Sequence, residues 1–312
     1  MEQLAFGDRL SREVRRVGNP VVVGLDPRID SLPEGMLDHC SIADCPSAAA
    51  AYERFCHEVI DVVASLVAIV KPQAAFFEQL GPEGMTTLAS VIKYARQSGL
   101  LVILDGKRND IGSTAEAYAD GMLGAESPWG SDALTVSPYL GGDSLLPFVD
   151  IARSRHSGIF VLVKTSNPGG GLLQDLEASG RAVYCHVAEL VETLNQDAVG
   201  DSGYGPVGAV VGATYPEQLV ELRQSMPHAW ILVPGYGAQG GTARDVAGAF
   251  DSQGLGGIVN SSRCIIFAHQ RPEYRERFGE GQWQRAVDAA TREMIQRIRE
   301  DTPAGRLART HG

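Results

Sequence analysis

The sequence predicts a single (β/α)8 barrel over its 312 residues, and three observations carry that reading. Eight short, β-branched apolar runs recur along the chain, each ending in turn or charged residues. They are nearly continuous in hydrophobicity, as strands covered on both faces are. Helix-patterned segments lie between them. Such alternation either closes into a barrel or opens into a doubly wound sheet. The open sheet favours a GxGxxG turn after its first strand, and here that turn reads GLDPRID. The barrel is therefore expected.

The first run is VVVGLD (21–26), followed by a polar loop over 27–47 and the helix-patterned AAAAYERFCHEVIDVVASL (48–66). VAIVKPQ (67–73) is the second, and MTTLASVIKYARQSG (85–99) the helix after it, with Gly99 at the position of a C-terminal cap. LVILDGK (101–107), ALTVSP (133–138) and GIFVLVKT (158–165) are the third to fifth strands. A second long loop, 166–179, leads to a helix over 180–195, whose apolar spacing is clearest in YCHVAELVETLN (184–195). VGAVVGAT (207–214), AWILVPG (229–235) and GGIVNSS (256–262) complete the eight, and QWQRAVDAATREMIQRIRE (282–300) is the last helix. No linker or low-complexity stretch divides the chain, so 1–312 reads as one domain. The loops 27–47 and 166–179 account for much of its excess over the usual barrel length of about 250 residues. The end, TPAGRLARTHG, reads as part of a frayed tail over 301–312.

Composition excludes several classes. A net charge of -11 and the absence of any basic run argue against nucleic acid as the main partner. No apolar run is long enough to cross a membrane. The N-terminal MEQLAFGDRLSREVRR lacks the apolar core of a signal peptide. Five cysteines, Cys40, Cys45, Cys56, Cys185 and Cys264, form no CxxC pair, so idle thiols in a reducing compartment are expected. A cytoplasmic protein follows. The seven histidines show no ligand spacing, and none lies at a strand end.

Barrels carry their chemistry at the C-terminal ends of the strands, and the charges fall there. Asp26 closes the first run, Lys71 the second, Asp105 and Lys107 the third, and Lys164 the fifth, while Arg263 follows the eighth. Asp105 and Lys107 are two apart, so in a strand they face the same side, toward the mouth. Each holds the other ionised, Lys71 on the neighbouring strand joins them, and Asp110 extends the array to four. Any one of these charges is more readily explained as an ion pair fixing a strand end. Together, at this face, they point to function, because apolar packing serves stability better than buried charge. Arg108 is expected to point away.

Across the mouth, the glycine-rich PGYGAQGG (234–241) follows the seventh strand and NSSRCII (260–266) the eighth. Barrels frequently bind phosphate there, with backbone N–H groups and, here, Arg263. KTSNPGGG (164–171) offers hydroxyl and amide donors, although alone it reads as an ordinary turn.

DGKRNDIGST (105–114) resembles the signature of the orotidine 5′-phosphate decarboxylase family, whose core is Asp-x-Lys-x-x-Asp. GLDP, VKPQAAFFE, SPYLGG, TSNPGG, VVGAT, VPGYGAQGG and VNSSR resemble its longer, mycobacterial-type branch in the same order, over roughly residues 20 to 270. Asn109 departs from the glycine that this branch often has. The resemblance implies conversion of orotidine 5′-monophosphate to UMP and CO₂ in pyrimidine biosynthesis, without metal or organic cofactor. It implies that Lys107 protonates C6, that Asp105 faces the substrate carboxylate, and that Lys71 completes the array. Asp26 would bind a ribose hydroxyl, Ser166 the pyrimidine, and Gln239 and Arg263 the phosphate, with Gly235 and Gly237 shaping the loop. Asp110 and Thr114 would enter the site of a second subunit, making a homodimer with shared sites.

Two other enzymes remain open on the residues. Metal-dependent sugar-phosphate enzymes of the same superfamily share the core but use an acidic residue on the second strand to help bind Mg²⁺, where this chain has Lys71. A Schiff-base aldolase would use Lys164 as a desolvated amine free of acidic neighbours. A dead barrel that only senses nucleotide phosphate is the non-enzymatic alternative.

Overall fold

A computed structural model describes residues 4–36, 44–237 and 240–307. Eight parallel strands close into a barrel: β1 (Val21–Leu25), β2 (Ile69–Pro72), β3 (Leu101–Arg108), β4 (Ala133–Val136), β5 (Gly158–Lys164), β6 (Val207–Val211), β7 (Ile231–Val233) and β8 (Gly257–Ser261). Each lies inside one of the eight predicted runs or overshoots it by a residue. Strand order follows the chain, and β1 pairs with both β2 and β8. β1, β2, β4, β6, β7 and β8 are buried at every residue, because helices cover one face and the barrel interior the other.

The outer helices include α1 (Phe6–Val17), α2 (Cys45–Val63), α3 (Ala74–Glu78), α4 (Gly81–Gln97), α5 (Gly112–Met122) and α6 (Gly142–Ser154). After β5 come the short α7 (Gly171–Gln174), then α8 (Val183–Asn195), α9 (Pro216–Ser225), α10 (Arg263–Ile266), α11 (Pro272–Phe278) and α12 (Trp283–Asp301). Gly99 stands at φ 82 and its N–H reaches the Arg96 carbonyl, closing α4 as a glycine cap.

α1 went unread in the sequence, yet it closes the bottom of the barrel. Phe6, Leu10, Val14 and Val17 form its buried stripe. The Phe6 ring meets Phe160 edge-on at 6.2 Å, and a Cβ on Gly158 would collide with it. Arg9 pairs with Asp132 at 2.7 Å, just before β4, and Asp8 accepts the N–H groups of Asp201 and Ser202.

The expected frayed tail is corrected over 301–307. α12 runs to Asp301, Thr302 caps a 3-10 turn over Pro303–Arg306, and Ala304 and Leu307 are buried. A Cβ on Gly254 would sit 2.9 Å from Ala304 Cα, so the turn packs directly on backbone. Residues 308–312, like the middle of the 27–47 loop, lie outside the described residues. The loop 166–179 is partly ordered, carrying α7 and the first strand of a two-stranded ribbon, Glu177–Ala178 with Arg181–Ala182.

Candidate active site

The strand ends bring the predicted charges together. Lys71 Nζ lies 2.6 Å from Asp105 Oδ2, and Lys107 Nζ 2.6 Å from Asp105 Oδ1. Both carboxylate oxygens are thus occupied by ammonium groups. Burial falls from Lys71, 5% exposed, to Asp105 at 10% and Lys107 at 47%, so the array leads outward and its last ammonium meets the open mouth. Thr135 on β4 supports it. Its hydroxyl donates to Asp105 Oδ1 at 3.0 Å and accepts the Lys107 N–H at 2.9 Å.

Lys107 stands at φ 46, a left-handed conformation that a non-glycine residue rarely adopts. The β3–β4 register shifts between Leu104 and Arg108, around this residue. The bulge swings the Lys107 ammonium into the mouth, and the bond to Thr135 helps to hold the strained backbone.

The electrostatics keep the array charged. Burial alone would raise the pKa of Asp105, but Lys71 and Lys107 outweigh it and hold the group well below the usual carboxylate range. Burial opposes charge on Lys71 as well. Asp105 and then Asp26 overcome this and raise its pKa above the usual lysine value.

This array forms one wall of a cleft of about 460 Å³, a size that suits a small molecule. Asp26 lines it from the end of β1, and its Oδ1 is buried without a hydrogen-bond partner, an acceptor aimed at a ligand hydroxyl. Ser166 and Asn167 line it from the loop after β5. Gly235, Tyr236 and Arg263 line it from the loops after β7 and β8. Gly235 has φ 97, so the β7 loop turns where a side chain would be strained. A Cβ on Gly24 would collide with Ser262, so glycine there lets the β8 loop pack against β1.

Seven sequence-predicted residues therefore share one cleft: Asp26, Lys71, Asp105, Lys107, Ser166, Gly235 and Arg263. Gly237, at φ 72, helps form the turn beside it without lining it, and Gln239 lies outside the described residues. Asp110 does not extend the array to four within this chain. β3 ends at Arg108, and Asp110 Oδ1 instead accepts the N–H of Ile111 at 2.9 Å. Thr114 is exposed on α5, likewise away from the cleft. Arg108 points aside as expected, pairing with Glu78.

Lys164 does not line the cleft either. It is fully buried and paired with Asp175, which removes the free amine an aldolase needs. Sequence reasoning missed Thr135, Gln73 and Asn260, all lining the cleft. Their signal was a polar residue at a strand end, the same as for the charges but without a charge to mark it.

The family model described as orotidine 5′-phosphate decarboxylase / HUMPS matches residues 19–277. A Rhodopirellula baltica protein named orotidine 5′-phosphate decarboxylase is 59% identical over 300 residues, 95% of this chain and 99% of that protein. A Deinococcus radiodurans protein of the same name is 44% identical over 259 residues, 83% of this chain and 86% of its own. Among solved structures, Leishmania donovani OMP decarboxylase superposes with a TM-score of 0.74 at 33% identity, covering 96% of this chain and 98% of that one.

Proposed function

The chain belongs to the orotidine 5′-phosphate decarboxylase / HUMPS family, and from that membership we propose that it converts orotidine 5′-monophosphate to UMP and CO₂, with Lys107 as the proton donor. One observation carries the reading within this family: both oxygens of Asp105 are held by ammonium groups, from Lys71 and Lys107. A divalent cation at Asp105 would have to displace both. The metal-dependent branch has an acid where this chain has Lys71, so the same place now repels a cation.

The geometry supports a direct mechanism. As the C6–CO₂ bond breaks, its electron pair stays on C6, and no conjugated sink takes it up. The protein must meet that charge with a preorganised field. Opposite unit charges about 3 Å apart at an effective dielectric near 20 attract by roughly 5 kcal/mol, before desolvation is subtracted. The Lys107 ammonium supplies this attraction and then its proton, forming the C6–H bond and leaving a neutral amine that water reprotonates. Asp105 and Thr135 fix where the ammonium stands. Asp26 offers its unpartnered oxygen to a ribose hydroxyl, and Ser166 bonds the pyrimidine. Arg263 and the Gly235 loop hold the phosphate, whose binding energy is used at C6.

Purified protein in excess EDTA is expected to bleach the absorbance of orotidine 5′-monophosphate and release UMP. Turnover that appears only with Mg²⁺ and a sugar phosphate would move the chain to the metal-dependent branch. UMP binding without turnover would make it a sensor.

The working unit is a homodimer. Asp110 and Thr114 lie outside their own cleft, and the loops around them expose Ile111, Tyr139 and Leu140, an apolar surface suited to a second copy. If Asp110 serves the partner's site, inactive Lys107→Ala and Asp110→Ala proteins regain activity when their subunits are exchanged, in about a quarter of the sites. Mixtures that stay inactive would place Asp110 in its own site. The cytosol is the proposed compartment, resting on the free thiols of Cys56, Cys185 and Cys264, and cell fractionation checks it.

A further inference from the structure

Lys164 is a fully buried lysine whose charge has no part in the proposed decarboxylation. It ends β5, two residues before Ser166, and its side chain is 0% exposed. Its Nζ lies 4.6 Å from the ring centre of Tyr215 and 5.4 Å from that of Tyr184, so two aromatic faces enclose it. Its partner Asp175 sits at the far end of the same loop, just after α7, and is half exposed.

The rest of the loop is tied at the same two ends. Gln174 Oε1 accepts the Thr165 N–H at 3.0 Å, and Gln174 Nε2 donates to the Thr165 hydroxyl at 2.8 Å. That hydroxyl donates to Asn167 at 2.7 Å. Below, Gly212 on the β6 side donates its N–H to the Lys164 carbonyl at 2.8 Å, and a Cβ there would lie 2.8 Å from both Cα and Cβ of Ser166. Ser166 therefore rests on a glycine floor, with a closed loop above it.

A loop that needed only to be closed would be better served by apolar packing, since burying an ammonium is costly. The charge adds a condition. When Asp175 leaves, an ammonium remains enclosed without its carboxylate, so the undocked loop is strongly disfavoured. From these contacts we infer that Lys164 is a positioning residue for the substrate ring: its lock on Asp175 holds residues 165–175 so that Ser166 and Asn167 face the cleft. The inference rests on the decarboxylase reading, because it takes the ring to be the part of the ligand that Ser166 meets.

The test separates ring from phosphate. Inhibition by UMP and by ribose 5-phosphate, which lacks the ring, is measured on wild type, Lys164→Met and Asp175→Asn. UMP affinity is expected to fall about tenfold or more in Lys164→Met and in the same direction in Asp175→Asn, with ribose 5-phosphate unchanged within about twofold. Adding Ser166→Ala to Asp175→Asn is expected to cost less than the two single losses combined, because the lock acts through Ser166. Equal losses for both ligands, or for neither, would overturn the inference alone. Wild type that binds ribose 5-phosphate but not UMP would overturn the decarboxylase reading, and the inference with it. Asp175→Asn changes a half-exposed side chain, so it decides the matter should Lys164→Met fail to fold.

Discussion

Lys107→Ala is expected to lower kcat by about four orders of magnitude or more while the protein stays folded. Two roles vanish with one amine: the charge that meets the developing carbanion and the proton that quenches it. The fold should tolerate the change because the Lys107 side chain is 47% exposed and Asp105 keeps Lys71 and Thr135 as partners. A half-exposed pair contributes about 1 kcal/mol or less to stability. UMP affinity should change far less than kcat, since the phosphate and ribose contacts lie elsewhere in the cleft. Single-turnover formation of UMP, followed beside a thermal melt, checks both halves. A folded variant retaining turnover within about tenfold of wild type would remove Lys107 from proton transfer.

Asp105→Asn is expected to damage both activity and stability. The variant loses the carboxylate that orients Lys107, and kcat should fall about 10³-fold. It also leaves Lys71, only 4% exposed, without its close anionic partner, which costs about 3–5 kcal/mol. The pH dependence separates this from a simple packing defect. In wild type, the depressed pKa of Asp105 contributes stability that is complete above its unfolded value, near 3.9, and is lost as pH falls toward the folded one. The raised pKa of Lys71 contributes stability that is complete below its unfolded value, near 10.4, and is lost only as pH rises through the still higher folded one. Between those limits the pair adds a constant amount. In Asp105→Asn, burial acts on Lys71 with only the more distant Asp26 opposing it, so its pKa drops. The folded state then binds fewer protons than the unfolded chain, and stability rises with pH as Lys71 neutralises. Urea midpoints from pH 6 to 9 should climb for the variant relative to wild type. Parallel profiles would mean that the pair is not the source of the loss.

The barrel was legible because of how parallel sheets are buried. VVVGLD and GIFVLVKT are apolar almost throughout, and only strands covered on both faces read that way. The charges were legible because each interrupts such a run at its end. Thr135 was not, since a hydroxyl inside ALTVSP is what an ordinary strand residue looks like. The place of Asp110 depended on one backbone angle, the φ of 46 at Lys107, and no local pattern announces it. α1 had a visible stripe at positions 6, 10, 14 and 17, but its many charged residues drew attention only to the missing signal peptide. TPAGRL looked frayed by composition. What orders it is burial of Ala304 and Leu307 against distant parts of the chain, which composition cannot report.

That docked end meets the other. Arg299, near the close of α12, donates two hydrogen bonds to the carbonyl of Gly18, the glycine that ends α1, at 2.8 and 3.1 Å. Arg306 reaches Ser252 in the segment leading into β8, and α1 rests beneath β4 and β5. Both anchors therefore lie where the strands begin, a barrel's length from the cleft. A purification tag, a surface tether or a second enzyme fused at either side would hang from the floor of the barrel and leave substrate traffic at its mouth unobstructed.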